Sequence, residues 1–172
     1  MRPAIFILPL TLCLSLLSSC AGYRFGGNKP SHLEAVNSIY LPLAKSRVIF
    51  PRVEAITTNS MADAIVKDGT YRLGTFNNAD ATLLITLNDL SYRQARSSSD
   101  DVLRSEELRL EVKVSFQLLD ARRPGVVLEK GTGRGHTRLF VDDNLQTARD
   151  NALPDALQRA TQDIIARLAD GF

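Results

Sequence analysis

The residue with the clearest chemistry is Cys20, which closes the tetrapeptide Leu17-Ser18-Ser19-Cys20 at the end of an apolar run over residues 4–17. Arg2 gives the run a positive start, and a branched residue followed by two small ones before a cysteine is the pattern that signal peptidase II cleaves. The thiol takes a diacylglycerol through a thioether, cleavage frees the amine of Cys20, and that amine is acylated in turn. Several chains, each gaining about 0.8 kcal/mol per buried methylene, anchor a protein stably where one is marginal. The run is about 14 residues, below the ~20 that a helix needs to span a bilayer. An ordinary secretory signal ending by chance near a cysteine is the plainer reading, but no A-x-A-like site precedes a better cleavage point. Residue 21 is Ala rather than Asp, so the cue that retains enterobacterial lipoproteins at the inner membrane is missing. The expected location is the periplasmic side of the outer membrane.

The other reactive residues are sparse. The two histidines, His32 and His136, fall in a tether and in a strand, and no HExxH, CxxC, Walker or GxSxG pattern occurs. We expect no enzyme, no metal site and no cofactor beyond the S-diacylglycerol and N-acyl groups on Cys20. Gly131, Gly133 and Gly135 alternate within a strand and lack the helix and Lys-Ser/Thr pair of a phosphate loop. They suit a bulge or the close approach of another backbone. On the same strand, period-two counting puts Lys130, Arg134, His136 and Arg138 on one side, opposite the glycines. Such a row can meet phosphates through charge-assisted hydrogen bonds, or it can simply solvate the face and blunt an edge. Arg93 and Arg96 extend the row only if their strand is a neighbour.

These residues must be positioned by one modest domain. Both cysteines, Cys13 and Cys20, lie in or at the end of the signal, so the domain behind it has neither thiol nor disulfide. About 150 residues follow, enough for one self-supporting core. Loss of Arg2 leaves 20 basic against 19 acidic side chains, which gives no basic field for nucleic acid. We divide the chain into a signal over 1–19, a lipidated flexible tether over 20–35 carrying Tyr23 and Phe25 as candidate docking anchors, and a single domain over 36–172.

Within that domain the patterns predict a strand at 38–43, a helix at 51–67 ended by Gly69, short and long strands at 71–75 and 81–93, and a loop at 94–105. The strand at 106–119 alternates most regularly, with Leu108, Leu110, Val112, Val114, Phe116 and Leu118 on one face and Glu107, Arg109, Glu111, Lys113, Ser115 and Gln117 on the other. A turn at 122–125, a strand at 126–140 and a last helix to about residue 170 follow, with Pro154 either kinking that helix or opening its second part. The order implies an α+β fold: an antiparallel-rich or mixed sheet of about four to five strands with two helices on one face. The other face is left to solvent or a partner.

The lipobox followed by CAGYRFGG, then SIYLPL, PRVEAIT, DGTYRL, ADATLLITLNDLSYR and LRLEVKVSFQLLD, resembles the LPS-assembly lipoprotein family of the LptE type, in a divergent form. The resemblance covers most of the chain from Cys20 on. It implies an outer-membrane lipoprotein that plugs the LPS-translocon β-barrel (the LptD type), helps that barrel assemble, and helps deliver lipopolysaccharide to the outer leaflet. Basic residues of that family are thought to contact the anionic glycolipid; the choice of Lys130, Arg134, His136, Arg138 and Arg93 comes from strand geometry alone. The rival class is a transport-auxiliary or periplasmic structural lipoprotein that binds an inner-membrane transporter or peptidoglycan, and crosslinked partners separate the two. A hydrolase would need a deep pocket lined by titratable groups.

Overall fold

The computed structural model describes residues 29–97, 105–140 and 145–171. Cys20, Tyr23, Phe25 and most of the loop expected at 94–105 lie outside the described residues. The elements run β1 (Ser38–Tyr40), β2 (Lys45–Ser46), α1 (Val53–Asp68), β3 (Arg72–Gly74), β4 (Ala81–Ser97), β5 (Ser105–Asp120), β6 (Val127–Phe140) and α2 (Leu145–Asp170). The fold is α+β, with a mixed six-stranded sheet in the order β3-β1-β4-β5-β6 and β2 paired to β4. The short strands β1, β2 and β3 pair in parallel, and the long ones β4, β5 and β6 in antiparallel.

The alternation of β5 explains the layering. Leu110, Val112, Val114, Phe116 and Leu118 are buried and meet Leu83, Ile85 and Leu87 of β4 and the α2 stripe Leu153, Leu157, Ile164 and Leu168. Helix α1 adds Val53, Met61 and Ile65 to this core. It stops where Gly69 takes φ 78° and donates its N–H to the Ile65 carbonyl at 3.1 Å. That left-handed conformation costs glycine nothing. Helix α2 continues through Pro154, which sits on its exposed side, where the carbonyl one turn back can be met by water.

The glycines of β6 are there for α2. A Cβ on Gly135 would run into the Ala156 carbonyl and stand 2.6 Å from the Ala160 nitrogen, and one on Gly133 would meet the Ala160 carbonyl. Gly131 instead lies under the Phe116 ring, 2.8 Å from where its Cβ would be. The helix backbone thus rests directly on the strand, the close approach that the alternating glycines suggest.

One boundary moves. Of the stretch expected as a flexible tether over residues 20–35, the described residues 29–35 lie on the domain: Ser31–Leu33 form a 3₁₀ turn and Leu33 is buried, as is Val36 just beyond. Lys29 donates to the Val36 carbonyl at 2.8 Å and stands 4.8 Å above the Tyr71 ring. His32, placed in the tether by sequence, bonds Glu129 of β6 at 2.9 Å. What holds this stretch, the burial of Leu33 together with the bonds of Lys29 and His32, leaves no periodic pattern in the sequence.

Candidate functional site

Both helices cover one face of the sheet, so the opposite face of β4, β5 and β6 is open. Which residues it carries is decided by a bulge. Leu83, Ile85 and Leu87 point into the core, and unbroken alternation would send Asp89, Ser91 and Arg93 after them. A register shift between Leu87 and Asp89 takes Asn88 out of the ladder and turns all three outward.

The register then builds rows across the three strands. Arg93, Arg109 and Arg138 are directly opposite one another; Ser91, Glu111 and His136 form the next row, and Asp89, Lys113 and Arg134 the third. Beyond them come Thr86, Ser115 and Thr132, then Leu84, Gln117 and Lys130. The structure therefore brings Arg93, Arg134, His136 and Arg138 together and sets Lys130 two rows away. Arg96 belongs to β4, opposite Glu107. Two residues that the sequence reading left on a merely polar face, Arg109 and Lys113, sit at the centre of the cluster. Their alternation was visible in the sequence, but the pairing that makes them neighbours of Arg93 and Arg134 was not.

Three rows hold five permanent cations, Arg93, Arg109, Lys113, Arg134 and Arg138, against the carboxylates of Asp89 and Glu111, and Glu107 of the adjoining row reaches Arg138. Glu111 takes Arg93 at 3.2 Å, and the buried Glu107 takes Arg138 at 3.3 Å. Arg109 makes no ion pair among the described residues and stands between two other guanidinium groups. Like charges in cross-strand register repel, so the cluster has a capacity for anions that its own acids do not fill. Two adjoining depressions of about 490 and 460 Å³ share Arg93 and Glu111 as a wall. Chemically, such a surface can bind phosphate or carboxylate groups. It presents no nucleophile paired with a base, and no cluster of three potential metal ligands occurs among the described residues. No described helix is long and apolar enough to cross a membrane.

A family model described as LptE, lipopolysaccharide-assembly, matches residues 36–168, most of the chain. The chain belongs to the LptE lipopolysaccharide-assembly family. No curated protein matched its sequence significantly. Among solved structures, the LptE-family fold seen here is similar to a dodecameric PelC variant from Paraburkholderia phytofirmans (13% identity, 83% of this chain and 94% of that one, TM-score 0.55). It is also similar to the hypothetical protein CT253 from Chlamydia trachomatis (9%, 77% and 95%, 0.56) and to a minor lipoprotein from Acinetobacter baumannii (14%, 77% and 90%, 0.50). At these identities the likeness is one of fold alone. The family membership bears out the resemblance drawn from DGTYRL, ADATLLITLNDLSYR and the strand that follows.

Proposed function

We propose that this LptE-family chain is an outer-membrane lipoprotein, acylated at Cys20 and facing the periplasm, that plugs the LPS-translocon β-barrel and assists both its assembly and the insertion of lipopolysaccharide. It works by binding and carries no catalysis. The observation that carries the reading is the open sheet face of a lipopolysaccharide-assembly protein: one side of the sheet is sealed by two helices, the other is a polar, cation-rich surface left for something else to cover. A barrel lumen, lined by inward polar side chains, is a surface of matching character, and the glycolipid supplies phosphates for the guanidinium groups.

Copurification from detergent-solubilised membranes tests the plug role: the acylated protein brings the barrel with it, whereas recovery of an inner-membrane transporter or of peptidoglycan would favour the rival class. The lipid contact is tested separately. Arg138 is a poor probe, because reversing it leaves the buried Glu107 facing a second carboxylate. Lys130 and Arg134 make no side-chain ion pair among the described residues, and Lys130→Glu with Arg134→Glu should weaken binding of the purified protein to lipopolysaccharide about tenfold or more. Unchanged affinity would remove the phosphate contact and leave the plug role standing.

A further inference from the structure

Strand β6 closes the sheet on one side, and its outer edge is sealed over only part of its length. In an antiparallel pair, successive residues turn their N–H and carbonyl groups alternately toward the partner strand and away from it. The N–H groups of Lys130 and Arg134 point away from β5, and each donates to a carboxylate: Lys130 to Glu129 and Arg134 to Asp163 of α2, both at 3.1 Å. The pairing with β5 is unbroken from Lys130 to Phe140, so the backbone groups of His136, Arg138 and Phe140 face outward too. None of them has a partner among the described residues. The next acid along that side of α2, Asp155, lies two turns back from Asp163 and is taken by Arg159 at 3.4 Å.

A run of unpaired edge groups is a template for another extended chain. The side chains beside it decide which chain fits. His136, Arg138 and Phe140 lie on the open face, where Arg138 ends a row of three guanidinium groups and Phe140 is 67% exposed. A strand added here sets its own side chains about 4.5–5.5 Å from them. Acids opposite His136 and Arg138 and an apolar residue opposite Phe140 complement the edge. A second copy does not: two β6 strands laid antiparallel bring Arg134, His136 and Arg138 of one against the same residues of the other, and like charges in register repel. We infer that the edge of β6 from His136 to Phe140, about 17 Å long, pairs antiparallel with a strand of a partner protein whose alternate residues read apolar, acidic, acidic. Pairing there continues the sheet outward without displacing either helix.

The probe is a short capped peptide of threonines with isoleucine, glutamate and glutamate at alternate central positions, added to the full acylated protein in detergent and followed by amide hydrogen exchange. Bound peptide slows exchange at His136, Arg138 and Phe140 about tenfold or more and leaves Lys130 and Arg134, already capped, unchanged. His136→Pro removes an outward N–H without touching the β5 ladder. It should weaken binding about tenfold, whereas His136→Ala keeps the N–H and most of the affinity. A peptide N-methylated at the amides that face β6 reads the same bonds in the unaltered protein, so a proline variant that fails to fold does not hide the answer. Edge amides that stay unprotected would overturn the inference, and a shift of the Arg93 and Arg109 side-chain signals alongside would mean that carboxylates bind the open face as simple anions. Equal binding of a peptide with lysines for glutamates, or edge amides protected without peptide in a self-associated protein, would overturn it as well.

Discussion

Asp80 shows how single side chains hold the short parallel strands in place. Its Oδ2 accepts from the backbone N–H groups of Asn37 and Ser38 at 3.1 Å and from the Ser38 hydroxyl at 2.9 Å, while Oδ1 takes Arg122 at 3.0 Å. The Asn37 N–H and the Ser38 hydroxyl foremost hold its carboxyl below the usual range. A carboxyl with a depressed folded-state pKa stabilises the fold above its unfolded value of about 3.9 and loses that contribution as pH falls through the folded value. Asp80→Ala should therefore cost about 1.5–3 kcal/mol at pH 7 in denaturant unfolding, and Asp80→Asn should flatten the fall of Tm below about pH 4. Tyr71 works at the other end of the scale. Burial, helped by Asp68, pushes its phenol up to about 12, so its share of stability is complete below about pH 10 and lost as pH rises toward 12. Tyr71→Phe removes one buried hydrogen bond, about 1 kcal/mol, and with it the Tyr71 part of the alkaline loss, which thermal melts from pH 9 to 12 would reveal.

Among the elements, β6 and α2 make the tightest fit. A methyl at Gly135 has the Ala156 carbonyl in its place, and backbone cannot rotate aside as a side chain does. Gly135→Ala should cost about 3 kcal/mol, while Gly69→Ala, where space is open but φ is 78°, should cost only the strain of a left-handed residue, about 1 kcal/mol. Urea unfolding of both variants checks the order. These elements were the legible part of the sequence. Period-two alternation gave β5 almost to the residue, and glycines between basic residues announced a neighbouring backbone. Strand β2 was invisible, because Lys45 and Ser46 have no pattern and become a strand through pairing with Thr86 and Leu87 of a distant segment. The candidate site was half legible for the same reason: Arg134, His136 and Arg138 share a strand, but Arg109 joins them through the pairing of β5 with β6, and Arg93 through a bulge at Asn88 of β4 that no residue type there announces.

At the scale of the molecule, the asymmetry of the two sheet faces is what a partner would read. One face is closed by α1 and α2; the other carries a cluster of guanidinium groups at one end and, at the other, a hollow of about 270 Å³ lined by Leu43, Leu84 and Gln117 with Lys45 as its single charged side chain. A surface graded from cationic to apolar suits a partner or ligand that is itself graded, as a glycolipid with phosphates and acyl chains is. Acylation at Cys20 would hold the protein at a membrane without fixing which partner covers that surface. The most direct test of the central claim is therefore affinity purification of the native acylated protein from detergent-solubilised membranes, with the copurifying proteins identified by mass spectrometry. The plug reading predicts the LPS-translocon β-barrel in a stable complex; a preparation that holds the intact lipoprotein but no barrel would contradict it.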